Sequence, residues 1–299
     1  MLDEKLLRHI EEILNQKIIS IEKINFGFNR TVYLLNGEYI LKSVTDTSNE
    51  EFTKNEVAFL SSNNFDFTPS LVYHDFSKQI VPYIYYLEKK SEGESLLYRF
   101  PTFDKKTKQN ILDQLLCKIE KLHSTNIVYF SNQNPLQNLQ ATYEYRLNKL
   151  IESNMFSKEQ IEYLMRIGER IPSLFKTSNT GLVHGDLHFG NILITEENGL
   201  QLIDFETTSQ TFIESEFDPI HRMQRNPDSF NPNEKVVLNK EDFNYIMEYL
   251  KERSTEVNKE TFDDIILFYD CLNSLMWICK FPDHKPYSDI LFNRSRKLL

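Results

Sequence analysis

Between Gly181 and Phe205 the chain reads GLVHGDLHFGNILITEENGLQLIDF, which sets two aspartates, an asparagine and two histidines among glycines. Asp186 falls in a loop-like stretch, Asn191 comes five residues later, and Asp204 ends a short hairpin pattern, ILIT and LQLIDF around Asn198-Gly199. An ionised carboxylate inside an apolar run is costly unless a cation offsets it. Magnesium is hard and prefers oxygen donors, so the Asp204 carboxylate and the Asn191 amide oxygen suit it, with nucleotide phosphates and water completing the octahedron. Asp186, left without a metal role, can orient an acceptor hydroxyl and take its proton. The chemistry that this spacing supports is phosphoryl transfer. His184 and His188 are four apart, as in a zinc-binding HExxH helix, but Gly185 stands where that motif needs glutamate. They read instead as structural histidines supporting a loop.

These residues need elements to hold them. A charged, helix-periodic start, MLDEKLLRHIEEIL, is followed by strand-like runs IISIEKINF, TVYLLN and GEYILKSV, with an Asn36-Gly37 hairpin signal. SNEEFTKNEVAFLSSN reads as a helix with Phe52, Glu56, Phe59 and Leu60 on one side and Ser48 or Asn49 as its cap. SLVYHDF and IVPYIYYLE are further strand candidates. From Glu88 onward helical spacing takes over, in QNILDQLLCKIEKLH and near 139–152, 157–175, 240–253 and 260–280. The fold class is α+β: an antiparallel-sheet lobe with one embedded helix over residues 1–87, and a mainly helical lobe over 88–299, sharing a cleft.

Composition narrows the partners. A chain of 299 residues with 40% hydrophobic and 26% charged residues is globular and large enough to hold a cleft. A formal net charge of −10 argues against nucleic acid as a partner and is compatible with a cationic small molecule. No signal peptide pattern and no run of about 20 apolar residues is visible, so the expectation is a cytoplasmic monomer with no membrane partner. The three cysteines read as reduced, buried thiols. Cys271 and Cys279 would stand about 12 Å apart on one helix, at about 1.5 Å rise per residue, too far for a disulfide.

With these motifs in view, the chain resembles the aminoglycoside phosphotransferase family, small-molecule kinases with a protein-kinase-like bilobal fold that include choline kinase relatives. The resemblance runs through nearly the whole chain and is strongest in VHGDLHFGNILI and LQLIDFE. FGFNRTVYLLNGEYILKS is similar to the family's first hairpin. It implies that Lys42 binds the α and β phosphates of ATP or GTP, held by an ion pair with Glu56, and that Gly27 and Asn29 belong to the nucleotide loop. That loop has a single glycine, where protein kinases use several. IYYLEKK corresponds to the interlobe hinge, whose backbone at Glu88 and Lys90 would bond the base. Asp204-Phe205-Glu206 replaces the protein-kinase DFG, and no activation-loop signature points to a protein substrate. Asp218, directly before Pro219, reads as a helix cap, and the resemblance adds a role in bracing the catalytic loop.

For the acceptor pocket, the helical lobe offers Asp263, Asp264, Asp270 and Trp277, with Glu206 as a further candidate. Carboxylates there suit an amine-bearing acceptor such as an aminoglycoside. The implied reaction is Mg2+-dependent transfer of the nucleotide γ-phosphate to a hydroxyl of a small cationic molecule. The alternatives are a kinase of another amino alcohol or sugar, and a catalytically silent nucleotide-binding regulatory protein.

Overall fold

A computed structural model describes residues 2–24, 30–130, 134–225, 238, 240–281, 283 and 285–299. Gly27 and Asn29 of the expected nucleotide loop lie outside the described residues. In chain order the elements are α1 (Glu4–Leu14), β1 (Ile21–Ile24), β2 (Thr31–Leu35), β3 (Tyr39–Val44), α2 (Glu50–Ser61), β4 (Leu71–Asp75), β5 (Ile84–Lys89), β6 (Glu94–Ser95) and α3 (Leu96–Arg99). Then come α4 (Lys105–His123), α5 (Pro135–Glu152), α6 (Lys158–Glu169), α7 (Ile171–Leu174), β7 (Thr180–Val183), β8 (Ile192–Ile194), β9 (Leu200–Leu202), β10 (Ser209–Phe212), α8 (Asp218–Arg225), α9 (Lys240–Arg253), α10 (Phe262–Ile278) and α11 (Lys285–Phe292). They form two compact units, Met1–Arg99 with Phe189–Thr208, and Phe100–His188 with Ser209–Leu299. Against a single cut at residue 87, the first unit thus runs to Arg99 and also takes the β8–β9 hairpin.

The first unit is built on an antiparallel sheet in the order β1-β2-β3-β5-β4. The β2–β3 turn is the expected Asn-Gly hairpin, with φ of 52° at Asn36 and 70° at Gly37, the positive pair that matches strand twist. Leu6 and Ile10 of α1 pack with Leu35, Leu41, Val81, Tyr85 and Leu87 in one core cluster. Full burial of side chains of this size stabilises by about 1.5–3 kcal/mol each. On α2 the buried face is Thr53, Glu56, Val57, Phe59 and Leu60. Phe52 is instead exposed, although it shares the helix face of Glu56 and Phe59, because it lies in the first turn of α2. The cap also differs from expectation: Asp46 accepts from Ser48 N ahead of the helix, and Asn49 makes no side-chain cap bond. A second sheet, β6-β8-β9, completes this unit.

In the second unit α10 is buried on nearly every side, which explains why its sequence is apolar almost throughout. Tyr143 and Leu147 of α5, Leu164 and Ile167 of α6, and Phe268, Cys271 and Leu275 of α10 share one core. β7 pairs antiparallel with β10. The expected single helix over 157–175 is two: α6 ends at Glu169 and α7 begins at Ile171, because Pro172 has no amide to continue the ladder. The cysteines are free, with Cys271 buried, but Cys117 is exposed, against the expectation of buried thiols. Among the described residues no helix is long and apolar enough to cross a membrane.

Gly93 shows how tightly the β6–β8 edge is built. Its φ is +116°, and a Cβ there would lie 2.7 Å from the carbonyl oxygen of Ile194. Gly93→Ala should therefore destabilise the protein by roughly 2 kcal/mol, from backbone strain and displaced strand backbone together. Urea unfolding that leaves the midpoint unchanged would contradict this packing.

Candidate active site

In the first unit, strand alternation selects the residues that meet. Lys42 on β3 stands opposite Tyr86 on β5, and Ile40 opposite Glu88, so Lys42, Tyr86 and Glu88 share a face. Lys42 Nζ lies 2.9 Å from Glu56 Oε1 and 3.2 Å from Glu88 Oε1. All three charged groups are buried. Burial works against the Glu56 carboxylate, but Lys42 and Arg30 outweigh it and hold its pKa far below the usual range. Burial opposes Lys42 too, yet Glu56 and Glu88 raise its pKa well above that of a free lysine. For Glu88 burial wins over the pull of Lys42 and, with the neighbouring Glu56 charge, pushes the carboxyl up to about 7. The expected Lys42–Glu56 pair is present, and Glu88 contributes its side chain to it. Of the Glu88 and Lys90 backbone expected to bond a nucleotide base, the Lys90 amide donates to the carbonyl of Glu38 at 2.8 Å, because β-type pairing continues past the end of β5.

The strand β9 stops at Leu202, and Asp204 adopts φ +70°, a left-handed conformation that Asp tolerates better than most residues and that is common at functional sites. Phe205 follows in the grip of α2. Its amide donates to Glu56 Oε1 at 3.3 Å, and its ring stacks on Phe59 with centroids 4.1 Å apart. Ile203 N donates to the Asn191 carbonyl at 3.0 Å, tying the Asn191 backbone to the residue before Asp204. The Asp204 side chain keeps 40% of its surface exposed. Among the described residues no three His, Cys, Asp or Glu side chains form a metal cage. The Asp204 carboxylate and the Asn191 amide oxygen are hard donors of the kind magnesium takes one or two at a time beside phosphates and water.

Sequence reasoning missed Arg30. It directly precedes β2, and its guanidinium is almost wholly buried. Nη1 donates to Glu56 Oε2 and, at 2.8 Å, to the Tyr86 hydroxyl; Nη2 donates to Glu206 Oε2 and, at 3.4 Å, to Asp204 Oδ1. Glu206, expected as an acceptor-binding residue, is thus committed to Arg30. Only the acidic partners, far away in sequence, give Arg30 its meaning, so no local pattern could have found it.

The second unit carries Asp186. Gly185 at φ +84° makes the turn that separates it from His184, a conformation suited to glycine. His184 is fully buried; its amide donates to Glu216 Oε2 at 2.8 Å, and its Nδ1 accepts from Asp186 N at 3.3 Å. His188 Nε2 stands 3.8 Å from Asp186 Oδ2. Both histidines thus contact Asp186 in the loop they were expected to support. Arg222 on α8 donates from Nη2 to Asp186 Oδ1 at 3.3 Å and from Nε to Asp218 Oδ2 at 3.0 Å. Asn273 donates to the same Asp218 oxygen at 2.8 Å. Asp218 is already helical, with φ −59° and ψ −43°, and its carboxylate accepts from Arg222 and Asn273 rather than from helix amides, which corrects its reading as a helix cap. It braces Asp186 through Arg222.

The sequence pattern of the phosphotransferase enzyme family, designated APH, matches residues 20–217, a span that includes Lys42, Glu56, Asp186, Asn191 and Asp204. The chain belongs to this family. Its fold is similar to APH(2″)-IIa in complex with gentamicin, with a TM-score of 0.72 and 16% identity over 100% of this chain and 98% of that one. It is similar, with the same TM-score and 18% identity over 100% of both chains, to aminoglycoside phosphotransferase APH(2″)-Ib with ADP bound. A choline/ethanolamine kinase family protein from Mesorhizobium loti matches at a TM-score of 0.58 and 15% identity, over 93% of this chain and 87% of that one. No curated protein matches.

As a phosphotransferase of this family the chain has a second-unit cavity of about 760 Å³, lined by residues of α8, α9, α10 and the C-terminal turn. Asp263 and Asp264 line it, together with Glu248 and Glu252, but so do Lys251, Arg294 and Lys297. Asp263 is paired with Lys251 at 2.8 Å. Asp270 does not reach this surface. It is fully buried, ion-paired with Arg225 at 2.5 Å and in contact with His221 Nε2 at 2.9 Å, because the helix turns it into the core. Trp277 is likewise absent from the cavity wall and packs on Phe281, with Lys280 over its ring.

Glu216, which holds His184, is itself buried and needs a cation. His123 supplies it, with Nε2 3.4 Å from Glu216 and Nδ1 2.6 Å from Glu256. Burial works against the imidazolium, but the two carboxylates raise its pKa from 6.5 to about 9. A folded pKa above the unfolded one stabilises fully below about 6.5 and loses that contribution as pH rises through about 9. The wild type should therefore lose roughly 3 kcal/mol of stability relative to His123→Gln across that window. Parallel stability profiles for the two proteins from pH 6 to 10 would remove His123 from this role.

Proposed function

We propose that this protein transfers the γ-phosphoryl group of ATP or GTP, with Mg2+, to a hydroxyl of a small amine-bearing acceptor. The observation that carries the reading is the buried Lys42–Glu56 pair with Asp204 alongside it, since a fixed lysine and a hard oxygen donor in one cluster match what triphosphate and magnesium require. Lys42 binds the α and β phosphates, and Glu56 holds its ammonium in place. Asp204 and Asn191 hold the metal, which supplies charge neutralisation at the phosphates when bound. Asp186 accepts the proton of the acceptor hydroxyl as the new phosphorus–oxygen bond forms, and the nucleoside diphosphate leaves with the electron pair of the broken bond. Arg222 and Asp218 keep the Asp186 carboxylate in one orientation. The thiols at Cys117, Cys271 and Cys279 are free, which suits a cytoplasmic enzyme.

The acceptor class rests on the cavity. Its four carboxylates, Glu248, Glu252, Asp263 and Asp264, exceed its three bases, Lys251, Arg294 and Lys297, by one charge, with His221 counted neutral. An aminoglycoside remains the first reading, supported by the fold shared with the gentamicin-bound protein. The small charge excess favours a second, an amino alcohol or amino sugar with a single ammonium group.

Asp186→Asn should lower turnover by about 10²–10⁴-fold while leaving nucleotide affinity near that of the wild type, because the amide keeps the geometry but cannot accept the proton. Asp204→Ala should lose metal-dependent nucleotide binding. The assay is phosphate transfer from ATP and from GTP to gentamicin, choline and a neutral sugar. Transfer by Asp186→Asn at the wild-type rate would sink the catalytic-base role. Tight nucleotide binding with no transfer to any acceptor would instead favour a silent regulatory protein.

A further inference from the structure

The four carboxylates of the first-unit site, Glu56, Glu88, Asp204 and Glu206, face two fixed cations, Lys42 and Arg30. Lys42 serves Glu56 and Glu88, on the inner side of the cluster. Among the described residues, Arg30 is the cation paired with Asp204 and Glu206. Its planar fork divides the work: one terminal nitrogen is fixed on Glu56 and Tyr86, and the other reaches to Asp204 and Glu206. A guanidinium is not deprotonated in proteins, so this positive charge is permanent. It rests on the carboxylate assigned above to magnesium.

The geometry points to Arg30 as a positioning residue of the metal site, one that offsets the Asp204 charge in the nucleotide-free protein and yields that carboxylate to Mg2+ by exchange. This rests on the metal reading given under Proposed function. Magnesium would bring two positive charges to the Asp204 carboxylate, so the guanidinium charge held beside Oδ1 opposes its entry until that contact is given up. Of the four Arg30 contacts, the one to Asp204, at 3.4 Å, is the longest and the easiest to give up. The other three hold the guanidinium on Glu56, Tyr86 and Glu206, so exchange needs no rebuilding of the hairpin. Asp204 is also the partly exposed member, with 40% of its side chain accessible to an incoming ion. Arg30 thereby keeps Asp204 oriented without metal and sets a threshold that a free divalent ion must overcome. Phosphate oxygens brought in with the metal help to cross it, because they supply donors that the protein alone lacks.

The test is Mn2+ binding to the full-length, nucleotide-free protein, followed by electron paramagnetic resonance of the free ion, with circular dichroism confirming the fold of each variant. Arg30→Gln should bind Mn2+ about tenfold more tightly than the wild type, because the competing charge is gone. Arg30→Lys covers the case in which the glutamine variant does not fold. A lysine retains a charge for Glu56, but its single nitrogen cannot span both acidic pairs, so a severalfold tightening is expected. A merely structural arginine would give the opposite sign, since loosening the site weakens metal binding. Unchanged or weaker Mn2+ affinity in the folded variant overturns the exchange. Asp204→Ala separates the two levels of the argument. If Mn2+ binding survives that substitution in the wild-type background, the metal assignment itself fails, whatever Arg30 does.

Discussion

The first unit depends on a buried carboxylate that cannot be left alone. Glu56 has no exposed surface, and an uncompensated charge in such a place would be prohibitive. Lys42 and Arg30 neutralise it from two sides, and the amide of Phe205 donates to it as well. Through this one side chain the sheet, by way of β2 and β3, is tied to α2 and to the segment after β9. The stacked rings of Phe59 and Phe205 secure the same junction by apolar contact. Asp204 can hold a left-handed backbone because its neighbours on both sides are fixed in this way.

The second unit follows the same rule with different residues. Glu216 and Asp270 are both fully buried acids, and each draws in basic partners from elsewhere in the sequence. Glu216 joins His123 at the end of α4 to the backbone of His184 at the head of the Asp186 loop. Asp270 on α10 holds His221 and Arg225 on α8, and Arg222 of that helix touches Asp186. The loop bearing the candidate base is therefore braced by charged groups whose pairing is also part of the core. Substitutions among them should perturb stability and site geometry together.

This organisation bears on the acceptor. The acidic residues of α10 look equivalent in sequence, yet Asp263 and Asp264 line an open cavity while Asp270 is a core ion-pair partner. Bases from α9 and the C-terminal turn balance much of the cavity's negative charge. The chain's net charge of −10 is thus a poor guide to the field in that cavity, which depends on the few groups lining it.

Beyond the Lys42–Glu56 pair that the family resemblance implied, the local signals in the sequence were sufficient for the α+β class, the Asn36-Gly37 hairpin and the α9 limits. These rest on periodicity, turn chemistry and motif spacing, which act over a few residues or recur as a fixed pattern. Arg30, Glu216, His123 and Arg222 were invisible by the same means. Each is an ordinary charged residue until folding brings it to a partner between 26 and 176 positions away for Arg30, and 32 to 133 away for the others outside their own helix. Phe52 and Asp270 were misplaced for a related reason: which helix positions are buried is decided by the neighbours that pack there. Sequence spacing determined which residues could do the chemistry; long-range pairing of buried charges decided what holds them, because the free energy of such a charge depends on surroundings that only the tertiary structure supplies.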